Sequence, residues 1–213
     1  MKLSDYHQHY VERSDEQIVR RVASKRLEIK EALQQSGFVS KNNPVRVAIL
    51  GCADKRFVSA YKELFEEALK TDVNLTVFDL TIDHLEGAAG VVQQDITKPL
   101  IGGPFDITFA HIVLKFIKPE LHLSVFQNAY DVLSDGGLAV FIQGKEELQS
   151  DSPEENTYLP ETYKYERNDI HPVNLTTIRQ YLKENSIKFL EFNQVHKNIE
   201  PVDIEAHQLL LMK

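Results

Sequence analysis

Strand-like apolar runs alternate with loops between residues 45 and 111, and a glycine or a polar side chain stands where each run stops. In chain order the runs end at Gly51, Asp79, Asp95 and His111. Strands that alternate with helical segments are typical of a parallel, doubly wound sheet with right-handed crossovers. Because ligands bind outside the carboxyl ends of the strands in such a sheet, we expect these four residues to converge on one pocket.

An amphipathic helix is predicted ahead of the first strand. Ser14 and Gln17 form a capping-box pattern at its start, and Gly37 can end it in a left-handed conformation. Two basic pairs, at residues 20–21 and 25–26, fall on this helix. We interpret these pairs as a solvated helix face rather than a binding surface.

Apolar runs bounded by Gly, Pro and polar residues predict the strands of the sheet. Five of them cover residues 45–50, 73–78, 90–94, 105–110 and 138–142. A helix that starts near Asn174 is followed by two more runs, at 187–195 and 206–212, with no helix between them. Such a succession favours an antiparallel hairpin at the sheet edge. The expected fold is α/β, with a doubly wound, mostly parallel seven-stranded sheet.

Composition and charge exclude several classes of protein. With 213 residues the chain is long enough for one well-buried domain, or for one domain with a lid. The net charge of -8 makes nucleic-acid binding unfavourable, because that needs clustered Lys and Arg. The single cysteine, Cys52, excludes an internal disulfide and suits a reducing compartment. No apolar run reaches the about 20 residues that span a bilayer, and residues 1–7 lack a signal-peptide core, so a soluble cytoplasmic protein is expected.

Two parts are expected along the chain, an N-terminal helical cap at residues 1–43 and a Rossmann-like domain at residues 44–213. Within the second part, residues 144–172 form a long segment that is first polar and then aromatic, without a helix or strand pattern. Long irregular segments in compact domains are often lids or binding loops. We therefore expect a lid or a substrate loop there.

A glycine turn after the first strand, acidic residues after the second and third, and a terminal hairpin resemble the class I S-adenosylmethionine-dependent methyltransferases. The resemblance extends from residue 14 to the end of the chain. It implies a Rossmann-like methyltransferase fold, S-adenosylmethionine as the cofactor, and methyl transfer to a small or medium-sized acceptor. The cofactor-binding residues that it implies are Gly51, Cys52, Ala53, Asp54, Asp79, Leu80, Asp95 and Ile96.

The resemblance also implies a role for the main side chains. The loop that starts at Gly51 would pass under the amino-acid part of the cofactor. Asp79 matches the carboxylate that binds the ribose, because two acceptor oxygens suit two adjacent hydroxyls, and Asp95 matches the residue that faces the adenine amine. Each aspartate is followed two residues later by a threonine. Either carboxylate can therefore cap a local turn instead, and both interpretations stay open.

His111 matches the position beside the transferred methyl group. A neutral imidazole there could take a proton from an oxygen or nitrogen nucleophile, and a histidine bonded into the crevice wall is the alternative. Cys52 has no identifiable His and acid partners and is interpreted as a small buried residue. His7 and His9 could line the pocket, but two histidines without further spaced ligands predict no metal site.

Three positions depart from the family pattern. Ile49 stands where an acidic residue usually closes the first strand, and Ala53 and Lys55 stand where the second and third glycines are usual. The departures favour an alternative function, a catalytically inactive methyltransferase-like module for binding or assembly, if a side chain such as Lys55 fills the cleft. A nicotinamide-dependent oxidoreductase is less well supported, because residues 51–56 do not supply Gly-x-Gly-x-x-Gly. No motif specifies the acceptor or the oligomeric state.

Overall fold

The computed structural model of the chain describes residues 12–145, 148–149, 171–197 and 204–213. The α-helices in these ranges are α1 (Asp15–Ser36), α2 (Lys55–Leu69), α3 (His122–Asp131) and α4 (Leu175–Glu184). The strands are β1 (Val45–Leu50), β2 (Val73–Asp79), β3 (Val91–Gln93), β4 (Phe105–His111), β5 (Leu133–Gly144), β6 (Leu148–Gln149), β7 (Val173–Asn174), β8 (Lys188–His196) and β9 (Ile204–Met212). Single turns of 3₁₀-helix lie at Asp83–Leu85, Leu114–Phe116 and Pro119–Leu121.

Seven strands form one sheet in the order β3-β2-β1-β4-β5-β9-β8, and β6 and β7 form a separate short pair. β1 pairs in parallel with β2 and β4, β2 with β3, and β4 with β5. β9 is antiparallel to both β5 and β8. The predicted α/β class, the mostly parallel sheet and the antiparallel terminal hairpin are confirmed. The strand order reverses around β1, and at such a point a crevice opens beyond the carboxyl ends.

The core has two layers, one on each face of the sheet. Successive side chains of a strand point to opposite faces. Val47 and Ile49 of β1 pack with residues of α1 and α2, whereas Ala48 and Leu50 pack with residues of α3 and α4. Burial on both faces explains why β1 is a continuous apolar run apart from Arg46.

Helix α1 begins and ends where the sequence predicts. The Ser14 hydroxyl accepts a hydrogen bond from the Gln17 N–H, and the Gln17 side chain accepts one from the Ser14 N–H at 3.0 Å, which completes the capping box. Gly37 adopts a left-handed conformation with φ 63°, and its N–H donates to the Gln34 carbonyl. Ile29 is 1% exposed and belongs to the core, so the helix packs tightly against the sheet.

One strand boundary differs from the expectation by several residues, since β5 begins at Leu133 and not at residue 138. Leu133 already pairs with Phe105 of β4, and after a register shift the ladder continues with Leu138 opposite Ile107. Residues 134–137, Ser-Asp-Gly-Gly, have the composition of a turn but form an irregular stretch inside a strand. Pairing with β4 on both sides of this stretch overrides the local turn preference.

Some expectations concern residues outside the described ranges. They include His7, His9 and most of residues 144–172. The division into a cap and a domain, and the lid, stay predictions. Within the part of the chain that the structure describes, no helix is long and apolar enough to cross a membrane.

A buried carboxylate joins three strands near their amino-terminal ends. Asp106 of β4 is 4% exposed. It accepts hydrogen bonds from the Arg46 N–H in β1 at 2.8 Å, from Asn42 Nδ2 at 2.6 Å, and from Ser134 Oγ in β5 at 3.1 Å. A charged acceptor with three donors fixes the relative position of these strands at the edge opposite the crevice.

Asp106→Ala should lower the free energy of unfolding by about 2–3 kcal/mol, because three donors lose their charged acceptor in a buried setting. Asp135→Ala is the matched control, since Asp135 is exposed in the same region and surface changes usually stay within about 0.5 kcal/mol. Urea unfolding followed by circular dichroism measures both variants. Equal effects of the two substitutions would contradict the role assigned to Asp106.

Candidate active site

A cavity of about 380 Å³ opens beyond the carboxyl ends of β1, β2, β3 and β4. Small-molecule sites usually have volumes of about 300–1,000 Å³. The residues predicted from the sequence that line this cavity are Gly51, Cys52, Ala53, Asp79, Leu80, Asp95, Ile96 and His111. Two carboxylates and a histidine that are distant in sequence thus face one hollow, as the strand-end pattern predicts.

Asp79 caps the turn after β2 and also faces the cavity. Its Oδ2 accepts a hydrogen bond from the Cys52 N–H at 2.8 Å, and its Oδ1 accepts one from the Thr81 N–H at 3.2 Å. The side chain is 13% exposed, and each carboxylate oxygen can accept a second bond. A capping role therefore leaves room for a ligand hydroxyl.

Asp95 follows β3 and is held by one neighbour. Its Oδ1 accepts hydrogen bonds from the Thr97 N–H at 2.9 Å and from Thr97 Oγ1 at 2.7 Å. The bonds from Thr97 lower the pKa of Asp95, so the carboxylate is ionised at neutral pH. Because both bonds use the same oxygen, Oδ2 is left to accept from a ligand amine.

The turn after β1 depends on a glycine. Gly51 has φ +83°, and a Cβ atom there would lie 2.7 Å from Val113 Cγ2, so both conformation and space require glycine. In the facing segment Ile112 also has a positive φ, 53°, which is unusual for a β-branched residue. The Ile112 N–H donates to the Ile142 carbonyl at 2.7 Å. Backbone strain of this kind is concentrated at functional sites.

The other residues of interest near β1 lie in different environments. Burial raises the pKa of Cys52 to about 12, so its thiol stays protonated, in agreement with a small buried residue. Asp54 does not line the cavity; it caps α2 by accepting from the Arg56 N–H at 2.8 Å and pairs with the guanidinium of Arg56 at 2.6 Å. Lys55 is exposed and Ile49 is buried in the core, and neither lines the cavity.

A buried charged cluster lies beside the cavity, and its members are Lys25, Glu28, His111 and His196. Lys25 Nζ lies 2.9 Å from Nδ1 of His111, and Glu28 Oε2 lies 3.0 Å from Nε2 of His111. His196 Nε2 lies 3.6 Å from the other Glu28 oxygen. An ammonium can only donate and a carboxylate can only accept. Lys25 Nζ also lies 3.2 Å from Nε2, so the ammonium is next to both ring nitrogens of His111, which favours a neutral ring.

Burial and mutual attraction set the protonation states of this cluster. Burial lowers the pKa of Lys25 to about 8, against the attraction of Glu28 and assisted by the charge of Arg21. Burial and the charge of Lys25 also lower the pKa of His111. Burial alone would raise the pKa of Glu28, but His111 and Lys25 outweigh it and lower that pKa to about 2. At neutral pH Glu28 is therefore ionised, His111 neutral and Lys25 mostly charged.

The residues of the cluster on α1, Lys25 and Glu28, are absent from the sequence-based prediction. The interpretation of the basic pairs as a solvated face holds for Arg26 but is wrong for Lys25, which is 6% exposed. A signal for its burial exists, since position 25 lies seven residues after Ile18 and four before Ile29 on the apolar stripe of the helix. A lysine at such a position faces the core.

Glu28→Gln should change the acid stability of the protein. Because the folded pKa of Glu28 lies below its ordinary value, its ionisation stabilises the fold above pH 4.5, and that contribution is lost as the pH falls towards 2. The difference in unfolding free energy between the native protein and the variant should therefore narrow by about 3 kcal/mol over this window. Denaturant unfolding at a series of pH values measures it.

Glu16→Gln is the control, since Glu16 is on the same helix with a side chain that is 80% exposed. The difference in unfolding free energy between Glu16→Gln and the native protein should stay near zero at every pH. A difference for Glu28→Gln that stays constant between pH 4.5 and 2 would contradict the ionised, buried state assigned to Glu28.

Comparisons with known proteins agree with this geometry. A family model described as a methyltransferase domain matches residues 49–141. No curated protein sequence is significantly similar to the chain. Among solved structures, a SAM-dependent methyltransferase from Archaeoglobus fulgidus is 14% identical with a TM-score of 0.60, and the match covers 88% of this chain and 94% of that one.

Two further structures extend the comparison. An S-adenosylmethionine-dependent methyltransferase from Clostridium acetobutylicum is 14% identical with a TM-score of 0.60, over 88% of this chain and 89% of that one. The N-methyltransferase NodS from Bradyrhizobium japonicum, in complex with S-adenosyl-L-homocysteine, is 14% identical with a TM-score of 0.54, over 96% and 90%. The resemblance found in the sequence is confirmed. Residues 49–141 match the model of a methyltransferase domain, and the chain has the fold of solved S-adenosylmethionine-dependent methyltransferases.

Proposed function

We propose that this chain transfers a methyl group from S-adenosylmethionine to a small or medium-sized acceptor molecule. The observation that supports it most is that Asp79 and Asp95 face one cavity at the strand ends of a methyltransferase domain. The cavity is large enough for a small molecule. Its polar groups match the hydrogen-bonding groups of a nucleoside.

The residues around the cavity fit the parts of S-adenosylmethionine. The carboxylate of Asp79 can accept from the two ribose hydroxyls, and that of Asp95 from the adenine amine. Leu80 and Ile96 also line the cavity and offer apolar contact to the base. When bound, the cofactor supplies a methyl group on a positively charged sulfur, which is already activated for transfer. The protein then has to align the acceptor and exclude water.

His111 is the proposed catalytic residue. We propose that its neutral ring carries the proton on Nε2, 3.0 Å from Glu28 Oε2, which leaves Nδ1 as the nitrogen that accepts a proton. Glu28 therefore acts as a positioning residue, because it fixes the tautomer and the orientation of the ring. An acceptor whose nucleophile still carries a proton would deliver it to Nδ1 in place of the contact with Lys25.

An open cavity counts against an inactive binding module. Neither Lys55 nor Ile49 fills the cleft, so the departures from the family pattern leave space for a cofactor. Ile49, in place of an acidic residue, removes one contact to the cofactor. The cavity that would hold the cofactor is still present. We assign the reaction to the cytoplasm, a setting that the single, buried cysteine supports.

S-adenosylmethionine and S-adenosylhomocysteine should bind to the purified chain in isothermal titration calorimetry. Asp79→Asn should weaken the binding of both by about tenfold or more, because a neutral amide replaces a charged acceptor. Asp83→Asn is the control, since Asp83 is exposed in the neighbouring 3₁₀ turn and does not line the cavity. It should leave the affinity unchanged.

Asp79 also holds the Cys52 N–H, so a second comparison separates ribose contact from loss of structure. Adenosine should bind more tightly than 2′,3′-dideoxyadenosine to the native protein, and Asp79→Asn should reduce that preference. No heat and no thermal shift with either cofactor form at millimolar concentration would reject the proposed function. An unchanged preference in the variant would reject the role of Asp79 in ribose binding.

A further inference from the structure

A buried cation faces the cavity at its end beside His111. Lys25, in the middle of α1, is 6% exposed, and among the lining residues that the structure describes it is the one Lys or Arg side chain. Its Nζ lies 5.1 Å from the centroid of the Phe57 ring and 5.6 Å from that of Tyr61, and both rings also line the cavity. Aromatic faces attract a cation but do not neutralise it.

The charge of Lys25 is not balanced on the cavity side. Glu28 is the nearby carboxylate, but it does not line the cavity, and its oxygens face His111 at 3.0 Å and His196 at 3.6 Å. Within residues 12–145, 148–149, 171–197 and 204–213, no carboxylate forms an ion pair with Lys25 Nζ at 4.0 Å or less. A ligand in the cavity therefore meets the ammonium and the neutral imidazole, not the carboxylate.

Other charges strengthen the positive potential at this end. Burial is the main cause that lowers the pKa of Lys25 to about 8; Glu28 attracts the ammonium, and Arg21 and Arg13 repel it. A buried ammonium is costly, and Glu28, which attracts Lys25, does not line the cavity, so an anion bound in the cavity would relieve part of that cost. The opposite end of the cavity carries the two aspartates. The cavity is thus negative where a nucleoside would bind and positive beside His111, in a chain whose net charge is -8.

We propose that Lys25 binds the negatively charged oxygen of the methyl acceptor, so the substrate is an organic acid, a carboxylate or an acidic phenol, and not an amine. The proposal rests on the proposed function and names its substrate class. A protonated amine would be repelled by Lys25, and a neutral His111 with a lowered pKa is too weak a base to deprotonate it. An acidic hydroxyl next to an ammonium ionises readily, because the opposite charge favours its charged form.

The transfer step balances without a further reactant. A lone pair of the acceptor oxygen forms the new O–CH₃ bond while the S–CH₃ bond breaks, and its electron pair stays on sulfur. The negative charge of the acceptor and the positive charge of the sulfonium disappear together. The product, an ester or an ether, no longer attracts Lys25, which favours its release.

The test uses aromatic carboxylates as probes on the full chain saturated with S-adenosylhomocysteine. Benzoate and 2-naphthoate are compared by calorimetry at pH 7 with their neutral amides and with benzylammonium. The carboxylates should bind about tenfold more tightly than the amides, and benzylammonium should not bind. Lys25→Met should abolish the preference for the carboxylates, while Lys30→Met, an exposed lysine of the same helix, should keep it.

The amino-acid part of the cofactor also carries a carboxylate. A separate experiment distinguishes binding of Lys25 to that carboxylate from binding to the acceptor. The affinities of S-adenosylhomocysteine and of 5′-methylthioadenosine, which lacks the amino-acid part, are measured for the native protein and for Lys25→Met. If Lys25 serves the acceptor, the substitution changes both affinities by less than about twofold. A selective loss of S-adenosylhomocysteine binding would overturn the proposal in favour of the carboxylate of the cofactor.

The remaining outcomes are also decisive. Equal binding of carboxylates and amides to the native protein, or an unchanged preference in Lys25→Met, would overturn the proposal. Thermal unfolding checks the fold of the variant, and Lys25→Gln provides a second substitution of similar length. If the native protein bound no S-adenosylhomocysteine, the proposed function would fail, whereas the carboxylate preference can still be measured on the free protein.

Discussion

The hydrogen bond from the Cys52 N–H to the Asp79 carboxylate joins the turn after β1 to the end of β2, and the cavity depends on it. The left-handed Gly51 makes that turn possible, and Val113 occupies the volume that a side chain at Gly51 would need. Loops after four strands, β1 to β4, therefore line one cavity. Lys55 departs from the family pattern, but it lies on the surface of α2 and does not line the cavity. The cavity therefore stays open.

Much of this arrangement could be predicted because its signals are local in the sequence. A carboxylate directly after an apolar run marks the point where a buried strand leaves the core, and both Asp79 and Asp95 reach the cavity as that rule predicts. The helix limits at Ser14, Gly37 and Asn174 depend on neighbours within four residues. The terminal hairpin follows from two strand patterns with no helix between them.

The charged cluster could not be predicted in this way, because it depends on how α1 packs against the sheet. Lys25 and Glu28 come from α1, His111 from β4 and His196 from β8, so no short stretch of sequence contains the set. Composition describes charge but not which charged side chains lose their water on folding. The same limit applies to residues 134–137, where strand pairing with β4 decides the conformation.

The left-handed backbone conformation of Ile112 affects the thermal unfolding of the protein. A residue held in such a conformation costs on the order of 1–3 kcal/mol, and only the surrounding packing compensates for it. When heat loosens that packing, a change in the backbone conformation of Ile112 releases this strain, which favours early movement of this part of the cavity wall. His111 and Val113 would shift with it. Ligand binding would then be lost at a lower temperature than secondary structure. The chain would pass through a folded state that does not bind ligand before it unfolds.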